Sequence, residues 1–167
     1  MNYSQINRFD VANGPGVRVS LFVSGCRLHC KNCFNKAAQD FNYGKEFDRK
    51  AELIIINNLA NGYYSGLTIL GGEPLEPENA KILLPFLKNI KTLFPSKTIW
   101  LYSGYSLVKN KINNIKLKDL YGCIDVLVDG PFVEDLKDAT LKFKGSSNQR
   151  LIDINETFKC KKLTLLN

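Results

Sequence analysis

Histidine is nearly absent: the 167 residues contain one, His29, and no Ser-His-Asp set can be read from the chain. Long apolar runs are missing too. Among the longest is Leu53 to Ile56, far too short to cross a bilayer, and "MNYSQINRFDVANG" at the start has no apolar region behind a basic one. These absences predict a cytoplasmic protein with no membrane partner. No linker, repeat or low-complexity stretch marks a boundary, so a single domain over residues 1–167 is expected. Acidic residues are outnumbered, 16 Asp and Glu against 23 Lys and Arg, for a formal charge of +7. The imbalance is concentrated between Lys81 and Asp119, where eight lysines lie (Lys81, Lys88, Lys91, Lys97, Lys109, Lys111, Lys116, Lys118). Either this region docks an acidic partner or its lysines solubilise outer helix faces. Basic and aromatic residues do not interleave, so nucleic acid is not expected as a partner.

What is present is an ordinary core composition, 44% hydrophobic and 23% charged, and five cysteines. Cys123 and Cys160 are isolated and read as structural. Cys26, Cys30 and Cys33 fall within "SGCRLHCKNCFN", at spacings of four and three. An odd total in a reducing compartment favours metal or redox chemistry over disulfides. Three thiolates are one short of a structural zinc site or a fully ligated iron-sulfur cubane. An incomplete set leaves an open metal position, where chemistry takes place. The competing reading is a zinc-binding interaction module completed by His29, Cys123 or Cys160.

Along the chain, strand patterns alternate with helical ones. "VRVSLFV" (Val17–Val23) predicts a strand that delivers the cysteine loop. Asp48 predicts the cap of a helix running to about Leu59, with Leu53, Ile56 and Leu59 on one face. "LTIL" (Leu67–Leu70) predicts a buried strand, and a helix from about Pro77 to Leu93 is expected to kink or divide at Pro85. "TIWLY" (Thr98–Tyr102) and "IDVLV" (Ile124–Val128) predict further strands, with a helix between them from Ser106 to about Leu120. Beyond Glu134 the expectation is a loop, then a strand or edge segment. Repeated strand-loop-helix units imply an α/β fold with a mainly parallel sheet, curved by right-handed crossovers into an incomplete β/α barrel. The cysteine loop, "GGEP", "SGY" and "DGPF" all leave carboxyl ends of strands, which places them at one candidate site.

Two of these segments carry a resemblance to a known family. "GCRLHCKNC" fits the CxxxCxxC signature of radical S-adenosylmethionine (SAM) enzymes, and "LGGEP" resembles their glycine-rich motif after the second strand. The segments "NGPGVRVSLFVSGC", "CFN", "GGEPLEPEN", "IWLYSGY", "DVLVDGPF", "LKD" and "GSSNQR", in this order, resemble a narrower group, the glycyl-radical activases serving anaerobic ribonucleoside-triphosphate reductase. The likeness runs from about Asn13 to Ile154. Asn32 is a departure, since many radical SAM enzymes have an aromatic residue before the third cysteine, whereas here the aromatic is Phe34, just after it.

The resemblance implies a partial barrel of the radical SAM type. It implies that Cys26, Cys30 and Cys33 ligate a [4Fe-4S] cluster whose fourth iron is open to SAM, and that reductive cleavage of SAM yields a 5′-deoxyadenosyl radical. Backbone carbonyls at Gly71 and Gly72 would meet the SAM amino group, Glu73 is a further cofactor-binding candidate, and the backbone at Asn32, Cys33 and Phe34 would meet the adenine. Ser103, Asp125 and Asp129 are further candidates for the SAM carboxylate, the ribose or the target loop, each with a turn or capping role as alternative. The implied partners are the large subunit of the reductase, as protein substrate, and a low-potential electron donor such as a flavodoxin. The alternatives are an activase of a different glycyl-radical enzyme and a 7-deazaguanine-type synthase.

Overall fold

A computed structural model describes residues 1–107 and 119–166. Among these residues seven strands form one sheet: β1 (Asn2–Asp10), β2 (Arg18–Val23), β3 (Lys45–Glu46), β4 (Gly66–Gly71), β5 (Thr98–Ser103), β6 (Val126–Asp129) and β7 (Arg150–Asp153). Their order is β3-β1-β2-β4-β5-β6-β7, an open sheet. β2, β4, β5 and β6 pair in parallel, whereas β1 pairs antiparallel with β2 and β3, and β7 antiparallel with β6. The expected α/β class is therefore present, as a mixed sheet with a parallel centre.

Alternation along the central strands separates two surfaces. Val19, Leu21, Val23, Leu67, Ile69, Ile99, Leu101 and Leu127 face the main core with Ile55 and Leu59 of α1 (Arg49–Leu59) and Leu83, Leu87 and Ile90 of α2 (Pro77–Leu93). The other surface carries Trp100, Val126 and Val128, packed with Tyr102, Phe143 and Leu151. Among the described residues, α1 and α2 cover one face, and Phe143 from the stretch between β6 and β7 packs on the other.

Asp48 caps α1 by accepting from Ala51 N–H at 2.9 Å, as its sequence predicts. The buried face differs from the expected one: Ala51, Ile55 and Leu59 go inward, while Leu53 is 39% exposed. An unbroken apolar run, Leu53 to Ile56, fits more than one helical face, and packing against the sheet selects among them. Pro85 does not divide α2, which continues through it with the proline on the exposed side. There the carbonyl four residues back, left without its donor, can meet water. The antiparallel β1 and β3 and a short helix, α3 (Ile154–Cys160), are additions to the sequence reading. The expected helix between Ser106 and Leu120, with Lys109, Lys111, Lys116 and Lys118, lies for the most part outside the described residues. Among the described residues no helix is long and apolar enough to cross a membrane.

Candidate functional site

The carboxyl ends of the parallel strands open onto one cavity of about 520 Å³. Cys26, Cys30, Cys33, Asn32 and Phe34 line it from the loop after β2, Gly71, Gly72 and Glu73 from the end of β4, and Ser103 and Gly104 from the end of β5. The opposite wall includes Phe132, Leu141, Phe143 and Gln149, from the stretch between β6 and β7. Ala12 and Asn13, from the β1–β2 connection, complete it. Segments far apart in the chain therefore meet as the strand order predicts.

The cysteine loop has a defined backbone. Gly25 N–H donates to Ala38 O at 2.8 Å and Cys26 N–H to Gln39 O at 3.0 Å, so the loop enters alongside the segment that leaves it. Cys33 N–H closes a turn on Cys30 O at 3.2 Å, with Asn32 in the left-handed region at φ 54°. Asparagine tolerates that conformation better than most residues, which gives the departure at position 32 a local physical basis. The three thiols are free and half-buried. Burial, the largest influence, pushes the Cys26 thiol up, with Glu73 and Glu76 adding to it. Phe34 is 89% exposed on the cavity rim.

The two glycines of "GGEP" serve the fold directly. Gly71 has φ +110°, and a methyl group there would lie 2.7 Å from Val23 O. At Gly72 it would lie 2.7 Å from Gly25 O and 2.9 Å from Ala38 O, atoms that frame the cysteine loop. This crowding is backbone against backbone, so the pair lets the β4 turn nest under the thiols.

Glu73 is fully buried behind that turn. Its Oε1 accepts from Leu75 N–H (2.8 Å) and Ser103 Oγ–H (2.9 Å), and its Oε2 from Gly104 N–H (2.8 Å). Burial pushes its carboxyl up to about 7, outweighing these donors, which favour the charged form. The carboxylate joins the exit of β4 to the exit of β5, and Ser103, which accepts from Tyr105 N–H, belongs to the same knot.

Not every candidate reaches the cavity. Asp129 is fully buried beneath it, where it accepts from Arg150 and from Leu107 N–H at 2.7 Å. Asp125 holds Lys91 and Ile99 N–H. His29 Nδ1 lies 3.0 Å from Gln39 Oε1. Cys123 is buried, its thiol donating to Asp119 O, and Cys160 is exposed on α3. None of these five is among the lining residues. Among the described residues, no group of three or more His, Cys, Asp or Glu side chains is gathered as a single metal ion would need.

The residues that sequence reasoning missed lie behind the loop. Asn79 of α2, 1% exposed, donates through Nδ2 to Ser24 O, Gly25 O and Glu73 O at 3.0, 3.4 and 2.9 Å. Glu76, 2% exposed, accepts from Arg27 N–H and from the Arg27 guanidinium. The signal was available in "GGEPLEPEN", where buried polar residues need partners, but nothing in the letters names those partners.

Comparison with known proteins gives the family. Residues 12–152 match the family described as "4Fe-4S single cluster domain". A protein of Pasteurella multocida (strain Pm70) named anaerobic ribonucleoside-triphosphate reductase-activating protein is 42% identical over 151 residues, covering 89% of this chain and 95% of that one. The chain belongs to the family of anaerobic ribonucleoside-triphosphate reductase-activating proteins. The family member of Escherichia coli (strain K12) is also 42% identical, over 89% of this chain and 96% of its own. The member from Enterobacteria phage T4 is 37% identical, over 90% and 93%. Both the cysteine loop and the β4 turn fall inside the matched span of residues 12–152.

Proposed function

We propose that the chain is a radical SAM activase with a partial β/α barrel, and that it generates a glycyl radical on anaerobic ribonucleoside-triphosphate reductase. The observation that carries this reading is the convergence of three thiols and the Gly71-Gly72-Glu73 turn on one cavity. When bound, a [4Fe-4S] cluster and SAM supply the reductive cleavage that yields a 5′-deoxyadenosyl radical. The donor set fits such a cluster: a cubane takes one thiolate per iron, so its cysteines need not close on a single point as they would around one zinc ion. Cys26, Cys30 and Cys33 are the proposed ligands. Because burial raises the Cys26 thiol, loading metal there expels a proton, and loading is favoured by higher pH.

The chain's own residues bind, orient and shield. Backbone at Gly71 and Gly72 faces the SAM amino group, and backbone at Asn32, Cys33 and Phe34 faces the adenine. Ser103 and Glu73 act mainly by holding the β4 and β5 exits at their separation. Asp129 is assigned a positioning role through Arg150, since both its oxygens are engaged away from the cavity. None of α1, α2 and α3 contributes to the cavity lining among the described residues, leaving access for a glycine loop of the reductase's large subunit. A low-potential carrier such as a flavodoxin is the proposed electron donor.

The test is anaerobic incubation of the reconstituted protein with SAM, a low-potential reductant and the reductase large subunit. The expected result is an electron-paramagnetic-resonance doublet on the large subunit, abolished when its radical-site glycine is changed to alanine. Cleavage of SAM in that complex without a glycyl signal, together with conversion of a small molecule, would replace this reading by the small-substrate one.

A further inference from the structure

Glu76 stands at the N-cap of α2, yet its side chain makes no hydrogen bond to its own helix. Both oxygens turn the other way. Oε1 accepts from Arg27 N–H (3.0 Å), the amide directly after Cys26, and from the Tyr105 hydroxyl (3.1 Å), while Oε2 accepts from Arg27 Nη1 (2.6 Å). One turn on, Asn79 gathers the carbonyls of Ser24 and Gly25, the two residues before Cys26, together with that of Glu73. The Arg27 guanidinium is completed by Glu78 (2.6 Å) and lies 4.4 Å over the Phe41 ring.

We propose that the first turn of α2 is a clamp that shapes the cysteine loop from outside the cavity, with Glu76 and Asn79 as positioning residues for whatever the three thiols hold. The peptide groups on both sides of Cys26 are fixed by side chains of one helical turn. Through Tyr105 the same carboxylate fixes the exit of β5, so two walls of the cavity share one support. Neither Glu76 nor Asn79 lines the cavity, so uncharged Asn79 can reach the metal centre only through the backbone it holds, whereas Glu76 acts through that backbone and through its charge. Both are almost completely buried, and buried polar groups so placed are costly unless their partners are present. This accounts for "EPEN" as structure rather than as contact with a cofactor. Support behind ligands governs metal affinity, and its loss typically costs about 10- to 100-fold.

The proposal rests on the three thiols being ligands, so the test has one arm that does not need the metal. In the apoprotein, alkylation of Cys26 is followed by mass spectrometry with exposed Cys160 as internal reference, in the wild type and in Glu76→Ala, Asn79→Ala and Glu76→Gln. In the loaded protein, iron loss to a chelator is timed. The alanine variants are expected to alkylate severalfold faster at Cys26 with Cys160 unchanged, and to lose iron about tenfold faster. Glu76→Gln keeps an acceptor for Arg27 N–H and is expected to restore most of both. Wild-type alkylation and wild-type iron retention in the alanine variants would overturn the clamp. If those variants fail to fold, Tyr105→Phe decides, because it removes only the hydroxyl that donates to Glu76 Oε1 and changes no charge: measurably faster Cys26 alkylation or iron loss supports the clamp, and wild-type values in both overturn it. A wild-type protein that retains no iron would refute the iron-sulfur reading, and the alkylation arm alone would then decide the clamp.

Discussion

At the scale of single residues, Gly72 shows how a motif read as ligand contact acquires a second meaning. The sequence reading treats it as room for SAM. Its missing side chain in fact makes room for Gly25 O and Ala38 O. Gly72→Ala is therefore expected to displace the cysteine loop and to reduce iron content along with SAM binding, measured by iron analysis and by equilibrium binding of SAM. Full iron content with weakened SAM binding would instead assign the glycine to the ligand side alone. Glu73 gives a prediction in pH. Its carboxyl, raised by burial from 4.5 to about 7, keeps its proton in the folded chain over an interval where the unfolded chain has released it. The folded state is thus favoured at the acid end and loses that advantage as pH rises from about 4.5 to about 7. The thermal midpoint of the apoprotein, compared with Glu73→Gln, is expected to decline across that window. Parallel curves would mean a carboxylate ionised throughout.

Among the elements, those with strong local signals were legible. α1 and α2 begin and end where Asp48, Pro77 and the apolar spacing put them, and β2, β4 and β5 lie within a residue of their predicted ends. β1 was not legible, because "NYSQINRFD", paired with β2 on one side and with only the two-residue β3 on the other, is mostly half-buried and carries little apolar alternation. α3 did carry a signal: Asp153 accepts from Glu156 N–H at 2.9 Å, the spacing of an N-terminal capping motif. The inward face of α1 was misread because Leu53 to Ile56 are all apolar, and burial there is decided by the sheet. Ile55→Ala is accordingly expected to cost about 2 to 4 kcal/mol, whereas Leu53→Ala, at a position 39% exposed, should cost well under half of that. Urea denaturation of both variants checks this, and equal losses would restore the original face. That the thiols, the glycines and Ser103 meet at one cavity was legible, because each leaves the carboxyl end of a parallel strand. Asp129 was not, since what occupies it arrives from Arg150, 21 positions away.

For the molecule as a whole, Asp129 and Arg150 tie "DGPF" to "GSSNQR". Arg150 Nε donates to Asp129 Oδ1 at 2.8 Å, Asn148 to Pro131 O at 2.8 Å and Gln149 to Gly130 O at 3.1 Å, so the two segments lock across the β6–β7 pair. Arg150→Ala leaves the Asp129 carboxylate buried with Leu107 N–H as its remaining partner among the described residues. A loss of about 3 kcal/mol is expected, measured by denaturant unfolding, and a loss below about 1 kcal/mol would show the lock to be incidental.

The cavity wall draws on residues from Ala12 to Gln149. A chain still being synthesised can expose its three thiols long before Phe132, Phe143 and Gln149 exist to enclose them. For most of translation those sulfurs are therefore open to oxidants and stray metal ions, without the chamber that would select what they hold. If the three thiols are the ligands proposed above, a closed chamber for what they hold belongs only to the finished chain.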